Sequence, residues 1–137
     1  MSTATTMQPH IAYELIEDTK HHVVVIEFVS HDISTTAHAR ELGEQLDCLI
    51  QPQLRQYFVL DFGGVQSLGS TAFSEILSFV HEAKPVWVCN LDEPLRLGAS
   101  LIGLDNWVKF AANRPAAIKE AETTARWDEE ETVDYPA

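Results

Sequence analysis

The stretch Tyr57-Phe58-Val59-Leu60-Asp61-Phe62-Gly63-Gly64-Val65-Gln66-Ser67-Leu68-Gly69-Ser70-Thr71-Ala72-Phe73 restricts the fold more than any other part of the chain. A short apolar run ends at an acid, two glycines turn the chain, and a hydroxyl-rich turn leads into a new pattern. Tyr57 to Leu60 is aromatic and β-branched, too short and too uniformly apolar for an amphipathic helix, and reads as a buried strand. From Phe73 the period changes. Phe73, Ile76, Leu77 and Val80 fall at i, i+3, i+4 and i+7, one face of a helix. Ser70 and Thr71 therefore stand at a helix N-terminus near the carboxyl end of a strand, where unpaired N–H groups converge and negative charge is favoured. A serine there suits a helix cap, a phosphate acceptor, or both.

The rest of the chain repeats the alternation. Tyr13 to Glu17 and His22 to Phe28 read as two strands joined tightly through Asp18-Thr19-Lys20, an antiparallel hairpin. After the loop His31 to Thr35, which offers several N-caps, Ala39, Leu42, Leu46, Leu49 and Ile50 recur at helical spacing until Pro52. Lys84-Pro85 precedes a strand at Val86 to Cys89. Pro94 opens a helix with Leu97 and Leu101 on one face and Gly103 at its end, and Asn113 caps a last helix with Pro115 in its first turn. The fold class is α/β: a single domain with an N-terminal β-hairpin followed by alternating helices and strands, a mixed, mostly parallel sheet packed with about four helices. Sites in such sheets gather at the carboxyl ends of strands. The loops at His31 to Thr35 and Gly63 to Thr71 are thus expected to meet and form one surface.

At 137 residues the chain has the length of one domain, with residues 1–10 a disordered leader, 11–125 the domain and 126–137 an acidic, disordered tail. The formal net charge of −12 argues against nucleic acid and against direct binding to anionic membranes. No apolar run is long enough to span a bilayer and no secretory signal opens the chain, so the cytoplasm is the expected compartment. Cys48 and Cys89 form no motif and read as buried free thiols.

Catalytic and metal-binding readings find little support. Ser70 with Asp61 and His81 lacks the Gly-x-Ser-x-Gly elbow, and His81 lies roughly 16 Å from Ser70 along a helix axis. His21 and His22 point to opposite faces of a strand, and His31 and His38 have no cysteine or acid at a ligand spacing. Gly63-Gly64 lacks the Lys-Ser/Thr of a phosphate loop. No enzyme activity, metal or cofactor is expected. Trp87 reads as core, and Trp107 and Trp127 as packing residues with partial exposure.

Leu60-Asp61, Val65 and Leu68-Gly69-Ser70-Thr71-Ala72 resemble the signature of the STAS domain, named for sulphate transporters and anti-sigma factor antagonists. The resemblance extends from about Ile11 to Ala125 through Val86-Trp87-Val88-Cys89, Pro94-Leu95, Gly103-Leu104-Asp105 and Val108-Lys109-Phe110. Two positions depart from the pattern: Gly69 stands where the family has an acid, and Ala72 where it has a glycine. The resemblance implies an anti-sigma factor antagonist in a partner-switching pathway. Such a protein binds an anti-sigma factor that is also a serine kinase, is released by phosphorylation at the position of Ser70 (Thr71 being the second hydroxyl), and is restored by a serine phosphatase. The implied partner-binding residues are Asp32, Ser34, Ser67, Gly69, Ser70, Thr71 and Ser74. The alternative is a STAS scaffold that is never phosphorylated, or a subunit of a larger signalling or transport assembly.

Overall fold

The computed structural model describes residues 9–17 and 22–133, with side chains as far as Asp128. Strands β1 (Ile11–Glu17), β2 (His22–Phe28), β4 (Gln56–Asp61), β6 (Val86–Cys89) and β7 (Lys109–Ala111) form one five-stranded sheet in the order β1-β2-β4-β6-β7. β1 runs antiparallel to β2 and the other pairings are parallel. A second, two-stranded sheet joins β3 (Asp32–Ile33) to β5 (Ser67–Leu68). The helices are α1 (Thr36–Asp47), α2 (Ser70–Ala83), α3 (Glu93–Leu101) and α4 (Arg114–Val133). The expected α/β fold, with its opening antiparallel pair and mixed sheet, is what forms. The residues expected to make the hairpin turn, 18–20, lie outside the described residues.

The central strands are apolar through residues 23–26, 57–60 and 86–89 because both faces of the sheet are covered there. Val24, Ile26, Phe58, Leu60, Val86 and Val88 pack beneath α1, α2 and α3. Val23, Val25, Tyr57, Val59, Trp87 and Cys89 face α4, which meets them with Ala117, Ala121 and Ala125. Burial pushes the Cys89 thiol up to about 12, with the nearby Asp61 charge adding to the effect, so that sulfur is a packing group.

In α2 the expected stripe holds for Phe73, Ile76 and Val80, which are buried, while Leu77 is half-buried and Phe79 and Ala83 join the core. Other expectations need correction. Leu97 and Leu101 share a face of α3, but it is the solvent face; Leu95 and Ala99 carry the packing stripe, and two residues along a helix is more than a half-turn away. Gly103 does end that helix, in the left-handed region at φ 82°. α1 stops at Asp47, leaving Leu49 and Ile50 half-buried beyond it, and Cys48 at its C-cap is exposed rather than buried. The caps at Thr35 and Asn113 form as hydrogen bonds to His38 N at 3.1 Å and Ala116 N at 2.9 Å.

The structured chain also runs past both expected domain boundaries. His10 is 1% exposed, with Nδ1 at 2.7 Å from Ser30 Oγ and Nε2 at 3.0 Å from Glu41 Oε1, and its backbone N–H donates to Gln45. α4 continues to Val133 instead of ending near 125, because the alanine stripe seats it on the sheet and Tyr57 Oη donates to Asp128 Oδ2 at 2.8 Å. Burial, with the Asp128 charge, pushes the Tyr57 hydroxyl up to about 12, so it remains the donor. Residues 1–8 and 134–137, the remainder of the expected leader and tail, lie outside the described residues. Among the described residues no helix is long and apolar enough to cross a membrane.

Candidate functional site

β2 and β4 run parallel, so the loops that leave their carboxyl ends emerge on the same edge of the sheet. Those loops are stitched together. Asp32 pairs with Ser67 and Ile33 with Leu68, Gln66 N donates to His31 O at 2.7 Å, and Gly69 N donates to Ile33 O at 2.8 Å. His31 Nδ1 donates to Gly64 O at 2.7 Å, which gives that histidine a structural task. The shared surface expected from the sequence is therefore present as the small β3–β5 ribbon.

Across this ribbon Asp32 Oδ1 accepts from Ser34 Oγ and from Ser67 Oγ, the latter at 2.7 Å. These bonds, Ser34's first, hold the Asp32 carboxyl below its ordinary value, so it is charged at neutral pH. Asp32, Ser34, Ser67, Ser70 and Ser74 are exposed, and Gly69 and Thr71 half-buried. The predicted surface residues thus lie on the two joined loops and the first turns of α2.

Ser70 is the first residue of α2, and here the capping expectation fails. The N-cap is Gly69, in an extended conformation, and no side chain bonds the first-turn N–H groups. The reason is local. A Cβ at Gly69 would lie 3.1 Å from Ser34 O and 3.3 Å from Ser34 Cα, so the backbone of the neighbouring loop occupies the space a capping side chain needs. A side chain at this position would push the two loops apart by a few tenths of an ångström. Ser70, one position on, projects to solvent beside an uncapped helix start.

Ser70, Asp61 and His81 are not assembled. His81 packs against Trp107 at 4.3 Å near the far end of α2, and Asp61 is engaged by other groups. Asp61 Oδ2 accepts from Arg114 Nε at 2.8 Å, while its Oδ1 accepts from Gly63 N at 2.9 Å and Asn90 Nδ2 at 3.0 Å. Burial pushes this carboxyl up, but the bonds from Asn90, Arg114 and Gly63 outweigh it and hold the group below its ordinary 3.8. Arg114 also reaches Glu27 at 3.1 Å and Glu14 at 3.7 Å. Sequence reasoning missed this node because its members are far apart in the chain. The one available signal was an acid closing a buried strand.

No family model matches the chain, and no curated protein is matched by sequence. Solved structures do match. RsbS of Moorella thermoacetica superposes with a TM-score of 0.67 at 14% identity, covering 86% of this chain and 99% of that one. An anti-sigma-factor antagonist (STAS) domain protein from Planctomyces limnophilus gives 0.66 at 13% identity, covering 80% and 96%. The phosphorylated form of SpoIIAA, a cell fate determinant of Bacillus, gives 0.57 at 18% identity, covering 80% and 98%. The chain has the STAS-domain fold.

Proposed function

We propose that this chain is a non-enzymatic interaction protein, an anti-sigma factor antagonist whose docking surface is the β3–β5 ribbon with the start of α2, and that phosphorylation of Ser70 ends the contact. One observation carries the reading: an exposed serine opens an uncapped helix in the middle of a surface made by two joined loops. The likeness to a STAS-domain antagonist and to a phosphorylated SpoIIAA supports it. The partner is an anti-sigma factor with serine kinase activity, a serine phosphatase reverses the switch, and the exchange takes place in the cytoplasm. A phosphate adds about −1.5 to −2 charge. The first-turn N–H groups of α2 favour it in the free domain by about 0.3 to 1 kcal/mol. In a complex the dianion loses water and stands on the same surface as the Asp32 carboxylate. Release follows.

Ser70→Ala removes no cap, so its stability should stay within about 0.5 kcal/mol of the parent, and its partner affinity should be retained. Ser70→Asp should weaken partner binding at least tenfold, about 1.4 kcal/mol. Titration of both variants against the kinase, with intact mass after incubation with kinase and ATP, checks this. Equal affinities and an unmodified mass would leave the second reading, a constitutive scaffold, which Gly69 in place of the family acid favours.

A further inference from the structure

β1 is an edge strand. Its inner side pairs with β2 along its whole length, and among the described residues no strand pairs its outer side. Alternate residues of Ile11–Glu17 therefore direct backbone N–H and C=O groups outward. Edges of this kind are usually blunted by charged side chains, lysine above all, or by proline, a bulge or very short length. β1 has seven residues, IAYELIE, in unbroken register with its neighbour and with no proline or lysine. Its charged residues are the acids Glu14 and Glu17, a charge that repels an acidic strand but not a basic one.

Its two faces differ in character. Tyr13 and Leu15 lie opposite Ile26 and Val24, on the side of the sheet covered by α1 to α3, yet they are 58% and 59% exposed. Glu14 lies opposite Val25, on the α4 side. There three carboxylates, of Glu14, Glu27 and Asp61, share the single guanidinium of Arg114. That corner of the sheet is left with excess negative charge.

We infer that the outer edge of β1 is a docking site for an extended segment of another protein, with apolar side chains alternating with lysine or arginine. Only an extended backbone can complete the row of edge groups. Its apolar side chains lie beside Tyr13 and Leu15, and its basic ones beside Glu14, with Glu27 one strand further in, opposite the small Ala12. A second copy of this chain fits worse. Antiparallel self-pairing about the strand centre sets Glu14 against Glu14, and each copy brings a net charge of −12. The site lies on the β1 side of the sheet and does not depend on Ser70.

The test uses the full chain and a seven-residue peptide of alternating valine and lysine. Binding should raise hydrogen-exchange protection at alternate amides of residues 11–17. The same peptide N-methylated on its pairing residues keeps its charge but loses its ladder bonds, and should bind roughly tenfold more weakly or worse. A valine–glutamate peptide should fare no better. Replacing both exposed side chains, Tyr13→Ser with Leu15→Ser, should weaken the lysine peptide several-fold while the thermal midpoint holds. The inference is overturned by unchanged exchange in β1, by equal binding of the N-methylated peptide, or by a free chain that sediments as a dimer with β1 already protected.

Discussion

Ile76→Ala should lower the stability of the domain by about 2 to 5 kcal/mol, the range for truncating a fully buried aliphatic side chain. Ile76 is 0% exposed and sits in the core that α1, α2, α3 and the sheet share. Truncation there loses the transfer energy of the removed carbons and leaves a cavity among close-packed neighbours, and both count. Ser78→Ala, on the exposed face of the same helix, should change stability by no more than about 0.5 kcal/mol. Urea denaturation of the pair measures the difference. Equal midpoints would mean that α2 is rotated from the register described.

Arg114→Gln should cost about 1.5 to 3 kcal/mol, the range for hydrogen bonds to charged groups. The side chain is the cation for Asp61, Glu27 and Glu14, and Asp61 is only 7% exposed, so water replaces the lost partner poorly. The effect should depend on pH with a definite sign. The folded Asp61 carboxyl is held below its ordinary 3.8, so its contribution is complete above that value and disappears as pH falls through the lower, folded value. In the variant the depression is smaller. The stability gap between parent and variant should therefore be wide at about pH 7 and should narrow progressively as pH falls below 3.8. A gap of constant width would assign the loss to packing of the arginine stem alone.

What the sequence disclosed followed from local periodicity and chain punctuation. The Tyr57 strand, the Phe73 helix, the Asn113 cap, a cap within the loop His31 to Thr35 (Thr35 supplies it) and the Gly103 stop each depend on neighbours within a few residues, and each is in place. The meeting of the two loops was also legible, since parallel strands carry their loops to one edge. The errors arose where distant residues decide. Which face of α3 is buried depends on how it meets α2. Gly69 was read as a missing acid, but its role becomes visible only when the Ser34 backbone is placed against it. His10 looked like leader because its partners, Ser30, Glu41 and Gln45, belong to other elements. The helical course of residues 126–133 was hidden because their charge suggests solvation, while the tyrosine that anchors Asp128 lies at the start of β4.

The alanine stripe of α4 has an evolutionary consequence. Ala117, Ala121 and Ala125 let the helix backbone come close to the sheet, and that spacing places Glu120 at 3.1 Å from Trp87 Nε1, Asp128 within reach of Tyr57, and Arg114 beside Asp61. A leucine at any of the three alanines would lift the helix and stretch all three anchors together. Descendants of this chain thus inherit the small residues and their polar partners as a set. A lineage that enlarges the stripe has to replace Glu120, Asp128 and Arg114 as well, so covariation among these six positions is the trace to seek in an alignment.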